Sequence, residues 1–300
     1  MSGRVLVCGA SGQCGGSVIE TLREKEAVFR AGTRQPDEAM RSRPDFDWVR
    51  LDYEESSSID AALEDVEALF LVTPYVSEER KIEIARALIG RAQKARVARI
   101  VTVSSMNSDL HADSTTSVVE QLVEDSGVVF THLRPNWYMQ NYHTHYLASI
   151  RKGVIDHYIG GAKVSLIDAR DIGAVGATVL LEPGHENKAY TLTGGEALDH
   201  YQVAAQLSAV TGREIRYTAR SHEDTRLAMR AASYPESTIE YSIEMYRYIE
   251  RGECAGISPI VSQILGRAPI RFEQYARDHL AVWPRENAEY SWRDTDSHVP

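Results

Sequence analysis

The apolar run Val5–Val7 stops abruptly at "CGASGQCGG", and a helical pattern takes over at Ser17. Gly9, Gly12 and Gly15 recur there at three-residue spacing. No other stretch restricts the fold as much. Glycine adopts positive φ and lets another group come close to the backbone. A helix that begins here aims its first free N–H groups, and the positive end of its dipole, at whatever occupies the loop. An anion suits that place. Between a strand and a helix, this glycine spacing receives the pyrophosphate of a dinucleotide.

The rest of the first half supplies the context such a loop requires. Strand-like runs at Val5–Val7, Ala27–Gly32, Asp47–Leu51, Ala68–Val72, Arg99–Val103 and Val128–Leu133 alternate with helical patterns at Ser17–Arg23, Ser58–Glu64, Glu79–Lys94 and Thr116–Glu124. Alternation of this kind predicts an α/β fold, a Rossmann-type doubly wound parallel sheet with helices on both faces. After Pro135 the pattern changes. "NWYMQNYHTHY" mixes rings with polar groups, "VSLIDARDIGAVGATVLLEP" reads as a short strand and then a helix stopped before Pro183, and "AYTLTGG" reads as a strand. Beyond residue 196 the segments are mainly helical, with Ile239, Ile243, Tyr246 and Ile249 on one face. The expected organisation is a dinucleotide-binding domain over 1–195, with 136–165 contributing to the pocket. A smaller, mainly helical substrate lobe follows over 196–284, and a polar tail over 285–300.

The strand end that follows the glycine loop chooses between nucleotides. An acid there holds the 2′-hydroxyl of a dinucleotide that lacks the 2′-phosphate. This chain has "RAGTRQP", with Arg34 and no acid. A guanidinium pairs bidentately with phosphate, and Thr33 and Ser11 add hydroxyl donors. NADPH is therefore expected in preference to NADH. The net charge of −10 and the lack of a basic stripe argue against a nucleic-acid partner. No apolar stretch reaches membrane length. The three cysteines, Cys8, Cys14 and Cys254, form no C-x-x-C pair. Such sparse cysteines, with no signal-peptide pattern, suggest a cytoplasmic protein rather than a secreted disulfide framework. Nothing in the sequence fixes an oligomeric state, and an oligomer is compatible with it.

Taken in order, "VCGASGQCGG", "RAGTRQP", "ALFLVTP", "ARIVTVSSMNS", "VVEQLVEDSGVVFTHLRPNWYMQN", "LIDARDIGAVGATVLLEP", "YTLTGGEAL" and "ILGRAPIRFEQYARDH" resemble the NmrA-like branch of the atypical short-chain dehydrogenases. The resemblance spans nearly the whole chain. It implies a Rossmann domain with a small substrate lobe, and a nicotinamide cofactor across the carboxyl edge of the sheet. It implies reduction of quinones, dyes or aryl-ether compounds, or, as in some members, cofactor sensing without turnover. Carried over by position, it implies that Gly9, Ser11, Gly12, Gln13, Cys14 and Gly15 surround the phosphates and that Arg34 meets the 2′-phosphate. Asp52 would reach the adenine, Thr73 and Pro74 would flank the adenosine, and Ser104 and Ser105 would lie near the nicotinamide ribose. The acceptor would meet Tyr75, Met106, Asn107, Asn136, Trp137, Tyr138 and Asn141.

The chain departs from the wider superfamily at the proton donor. The Tyr-x-x-x-Lys dyad is absent: the residues four before its lysines are Thr21, Ser77, Gly90, Ala148, Ile159 and Gly184. A cation that relatives often carry three residues before the fifth-helix glutamate, here Glu120, is replaced by Ser117. Ordinary carbonyl reduction needs a donor near the oxygen. A quinone or enone needs one less, because water can protonate its stabilised anion. His111, in a polar loop after the fifth strand, and Tyr138 are the candidate acids, although a loop histidine with no catalytic part fits the same sequence. Cys14 is either a redox trigger or a small packing residue. Asp168 and Asp171 read as capping and structural. His143 and His145, spaced H-x-H with no third ligand, indicate no metal. Three functions fit: an NADPH-dependent reductase of a planar, electron-poor aromatic or conjugated molecule, an NADP(H)-sensing binding protein, or a cofactor-retaining isomerase or cyclase.

Overall fold

The computed structural model describes residues 3–157 and 159–284; the expected polar tail over 285–300 lies outside the described residues. In chain order the strands are β1 (Arg4–Val7), β2 (Phe29–Thr33), β3 (Trp48–Arg50), β4 (Val66–Leu71), β5 (Arg99–Val103), β6 (Val129–Pro135), β7 (Val154–His157), β8 (Lys188–Leu192) and β9 (Arg216–Ala219). The helices are α1 (Gln13–Glu24), α2 (Pro36–Ser42), α3 (Ser56–Ala62), α4 (Glu78–Lys94), α5 (Thr115–Asp125), α6 (Leu147–Arg151), α7 (Ala169–Leu181), α8 (His200–Thr211), α9 (His222–Ala231), α10 (Glu236–Glu250), α11 (Ile260–Leu265) and α12 (Phe272–Asp278).

The chain divides into two compact units. The first comprises Met1–Pro135, Ala169–Leu192 and Ile260–Arg267. Its seven strands run in the order β3-β2-β1-β4-β5-β6-β8, and every pairing is parallel. This is the doubly wound sheet that the alternating pattern predicts. The order reverses beside β1, which puts a topological switch point at the carboxyl end of β1 and β4. One face of the sheet is closed by α3, α4 and α5, through Ile59, Ala85, Leu88, Val119 and Val123 against Leu6, Leu69 and Ile100. On α1 and α7 small residues permit close packing. A Cβ on Gly173 would lie 2.5 Å from the Ser17 backbone, and one on Gly176 would lie 2.9 Å from the Phe70 ring.

The second unit comprises Asn136–Asp168, Thr193–Pro259 and Ala268–Pro300. Segment 136–168, given to the first domain by the sequence reading, packs here. The unit is mainly helical, as expected, but it also contains a two-stranded parallel sheet, β7 with β9. The short strand expected before α7 is absent. Val164 and Ile167 make only isolated bridges, to Leu198 and Tyr138. The core of this unit is ring-rich: Tyr142, Phe272, Tyr275 and Trp283 are all almost fully buried, among Ile155, Leu207 and Ile249. No described helix is long and apolar enough to cross a membrane.

Candidate functional site

In the first unit the site is assembled by the carboxyl ends of the strands. Gly9 has φ +60°, a left-handed conformation that suits glycine, and it turns the chain out of β1. The loop is pinned by backbone bonds from Cys8 to Phe70 and from Ala10 to Gly32, at 2.9 and 3.1 Å. Gly12 is the N-cap of α1, and no side chain caps the helix. No acid occupies its first turn. Ser11, Gly12 and Gln13 are exposed, while Cys14 and Gly15 are buried. The end of α1 is thus open to an anion. Gly15 has a different task. A Cβ there would sit 2.3 Å from the Gly9 carbonyl oxygen, so this glycine lets the helix approach its own loop. The Cys14 thiol is packed inside, as a small core residue would be.

Beside this loop, at the end of β2, Ser11 and Thr33 bring their hydroxyl oxygens to 3.5 Å. Arg34 follows, exposed. Asp52, after β3, pairs with Arg50 at 3.0 Å and accepts the Glu54 N–H at 3.1 Å, so its carboxylate shapes its own turn. Tyr53 was not singled out in the sequence. Its hydroxyl bonds the Cys8 thiol, its ring packs on the core, and Arg34 lies close enough to act on it electrostatically. Burial pushes the Cys8 thiol up to about 12, so it is an inert anchor rather than a nucleophile. Thr73 and Pro74 are half-buried after β4, and Tyr75 is exposed beside the Lys81 ammonium.

The loop after β5 carries the other candidates. Ser104 is buried, its N–H bonded to Leu133 O, and the Met106 N–H bonds Pro135 O. Ser105 Oγ lies 3.0 Å from Thr116 Oγ1 on α5, and Asn107 takes φ +62°. Ser108 donates to Glu120 at 2.8 Å. Glu120 is buried and held by a two-pronged bond from Arg134 on β6, at 3.0 and 2.7 Å. Burial alone would raise this carboxyl; bonds from Arg134 and Ser108 overcome it and hold the group below the usual carboxylate range. His111, at the end of this loop, is exposed; its carbonyl accepts the Ser114 N–H. The sequence signal for Arg134 was there to read: one charge inside the apolar run of β6. The fifth-helix glutamate served only as a marker, and its partner went unnoticed.

The remaining candidates lie in the second unit. Asn136 is buried; its amide donates to Ser165 Oγ and Cys254 O at 2.7 and 2.8 Å, and its oxygen accepts the Trp137 N–H. These bonds tie the chain down after β6. Trp137, Tyr138 and Asn141 are half-buried. Tyr142 belongs to the core of this unit, and Tyr146 packs half-buried against it. Tyr142 is 2% exposed, bonds His200 Nε2 at 3.2 Å and packs edge-on against Phe272. Tyr146 stands 5.5 Å from it. Asp168 and Asp171 are fully buried, bonded by Gln140 at 3.0 Å and paired with Arg267 at 2.7 Å respectively. A cavity of about 400 Å³, lined by Arg4, Arg23, Asp45 and Asp47, lies beside the start of β1 and β2, the edge opposite the glycine loop. Among the described residues no group of three His, Cys, Asp or Glu side chains is placed to hold a metal ion.

A parallel 3-2-1-4-5-6 sheet with an uncapped glycine loop at its switch point defines the Rossmann class of dinucleotide-binding proteins. Within that class the chain belongs to the NmrA-like family, whose model matches residues 1–275. It is 34% identical to an NAD(P)H azoreductase of Xenophilus azovorans over 93% of this chain and 99% of that protein. Quinone oxidoreductase 2 of Escherichia coli is 29% identical over 87% of this chain and 93% of its own length. A crystal structure of an NADPH-dependent quinone oxidoreductase from Escherichia coli complexed with NADPH superposes with a TM-score of 0.80. It is 26% identical, over 93% of this chain and 99% of that one.

Proposed function

We propose that this protein reduces a planar, electron-poor small molecule, such as a quinone, an azo dye or a conjugated enone, with NADPH as the hydride donor. The protein is an NAD(P)H-dependent oxidoreductase; the proposal adds the phosphate preference and the acceptor. The observation that carries it is the exposed Arg34 at the end of β2, beside Thr33 and Ser11 and an α1 N-terminus with no cap of its own. The azoreductase and quinone-reductase relatives support the choice of acceptor.

The glycine loop fits the dinucleotide, since a Cβ on Gly12 would already stand 3.2 Å from Gly9 O and would crowd the space an incoming phosphate needs. When bound, the nicotinamide group supplies the hydride. The α1 amides and dipole hold the pyrophosphate. Arg34, Thr33 and Ser11 hold the 2′-phosphate, and Asp52, Thr73 and Pro74 border the adenosine. Ser104 and Ser105 border the ribose, while Met106, Asn107 and Tyr75 serve the acceptor. Where relatives carry the fifth-helix cation, α5 offers the hydroxyls of Thr116 and Ser117. These are weak acids, so the acceptor must be one whose reduced anion takes its proton from water. Orientation then contributes most of the catalysis.

The test is stopped-flow oxidation of NADPH across quinones, azo dyes, enones and simple ketones. Quinones and azo dyes should react faster than ketones. Arg34→Ala should remove most of the preference for NADPH over NADH, about tenfold to a hundredfold. Equal affinities for the two cofactors in the unaltered protein would refute the preference. If no acceptor oxidises NADPH above the buffer rate while NADPH still binds, the sensing reading, which the missing dyad favours, replaces it.

A further inference from the structure

We propose that Glu120, Arg134 and Asp109 form a brace that positions the acceptor-side loop, residues 104–110, for hydride transfer. The inference rests on the reductase reading above and names residues that it leaves out. All three guanidinium nitrogens of Arg134 are engaged: Nε and Nη2 on the Glu120 carboxylate, and Nη1 on Asp109 at 3.0 Å. Glu120 in turn takes the Ser108 hydroxyl at 2.8 Å. One buried carboxylate and one guanidinium therefore tie down two consecutive loop residues, Ser108 and Asp109. The other end of the loop is fixed by the Met106 N–H on Pro135 O at 2.9 Å and by Ser105 against Thr116 at 3.0 Å. Between these anchors Asn107 holds φ +62°. A non-glycine residue rarely adopts that conformation, and it persists where its surroundings fix it.

The array divides into two parts with separate tasks. The Glu120–Arg134 pair is buried, with side chains 5% and 14% exposed, and removing one partner would strand a charge. Asp109 is 55% exposed, and its pairing with Arg134 is the rim of the brace. A half-exposed pair contributes little to global stability. Its effect falls instead on the order of the loop it closes. In a site with no dedicated proton donor, rate depends on how closely the acceptor is held, so loop order should appear directly in the hydride-transfer step. Arg134 and Glu120 are positioning residues that act through the loop they hold.

Asp109→Ala isolates the rim, and Asp109→Glu is its conservative rescue. Two measurements are made on each. Amide hydrogen exchange over residues 104–111 reads loop order without any turnover. Stopped-flow oxidation of NADPH by a quinone reads hydride transfer, beside the NADPH dissociation constant. Expected for Asp109→Ala is at least fivefold faster exchange in the loop, a fivefold to twentyfold slower transfer, and an NADPH affinity within twofold of the parent. Asp109→Glu should recover most of both. Unchanged exchange overturns the brace, and so does faster exchange with an unaltered transfer rate. An equal loss of NADPH affinity would also overturn it, since the array would then serve the cofactor side. If the unaltered protein passes no hydride to any acceptor, the reductase reading fails. The exchange arm still decides whether Asp109 orders the loop.

Discussion

Along the carboxyl edge of the seven-stranded sheet, Ser11, Gly12, Gln13 and Arg34 stand exposed around an uncapped helix end. In the second unit Tyr142, His200, Phe272 and Tyr275 are almost fully buried around one another. The first region leaves the start of α1 without a side-chain cap, as a site for an anion must. The second satisfies its polar groups internally, as a core must: Tyr142 bonds His200, and Tyr275 bonds His143 at 2.6 Å. A run of rings interleaved with polar residues is thus ambiguous in sequence. The polar ends of such rings serve a pocket or each other equally well.

The largest test of this contrast is at the glycines. Gly15→Val forces a Cβ to within 2.3 Å of a backbone oxygen, so the loop must move. The first unit should lose about 3 kcal/mol or more, and dinucleotide binding with it, read by urea unfolding and titration calorimetry. Gly12→Val meets its neighbour at 3.2 Å and should stay folded while binding is lost. If Gly12→Val gives a normal cofactor-induced melting shift, the loop is not the phosphate site.

In the second unit the corresponding test is Tyr142→Ala. Deleting a ring that is 2% exposed should destabilise by about 3–5 kcal/mol, because the loss of transfer energy is joined by a cavity. NADPH affinity of the remaining folded protein should change little. A variant that unfolds at the parent's urea midpoint yet loses turnover would restore Tyr142 to the pocket.

The legible parts of this chain were those in which one local rule dominates. The existence of β1 to β6 and their parallel sheet followed from apolar runs separated by helical patterns, and the loop from glycines that only a close approach explains. The β7–β9 pair was not legible. Its strands are four residues each, and they are joined across more than fifty residues of sequence, beyond the reach of any local pattern. Gly173 and Gly176 on α7 owe their place to Ser17 and Val18 of α1 packed against them, a tertiary contact that no local pattern shows. Arg134 read as one charge in a strand, because its meaning lies in Glu120, on a different element. The bonds of Asn136 to Ser165 and Cys254 were likewise not legible, because they join residues far apart in sequence.

Acid should test the second unit's core next. Burial holds His200 at about 4, below the ordinary histidine value, so the folded chain keeps it neutral. Its contribution is fully present above the unfolded value of about 6.5 and is lost as pH falls from there towards 4, by about 3 kcal/mol in all. Burial also lowers His143, which adds in the same direction. Urea titrations at pH 7 and pH 4.5 should show this loss, and His200→Gln should flatten it. The same pH dependence in His200→Gln as in the parent would place the acid sensitivity elsewhere.

The smallest expected effect concerns His111. It is exposed at the end of the 104–110 loop. If quinones and azo dyes are the acceptors, their reduced anions are stable enough to take a proton from water, and a side-chain acid contributes little to the rate-limiting step. His111→Phe should then lower hydride transfer by no more than about threefold, with no change in its dependence on pH between 6 and 8. Trp137→Ala, which loosens a half-buried ring packed beside the second unit's core, should lower the rate by about tenfold to a hundredfold. The order of the two effects matters more than either magnitude. If His111→Phe proved the more damaging and removed a pH step near neutrality, the chemistry would need a proton donor after all. The acceptor would then be a ketone-like compound rather than a quinone or azo dye.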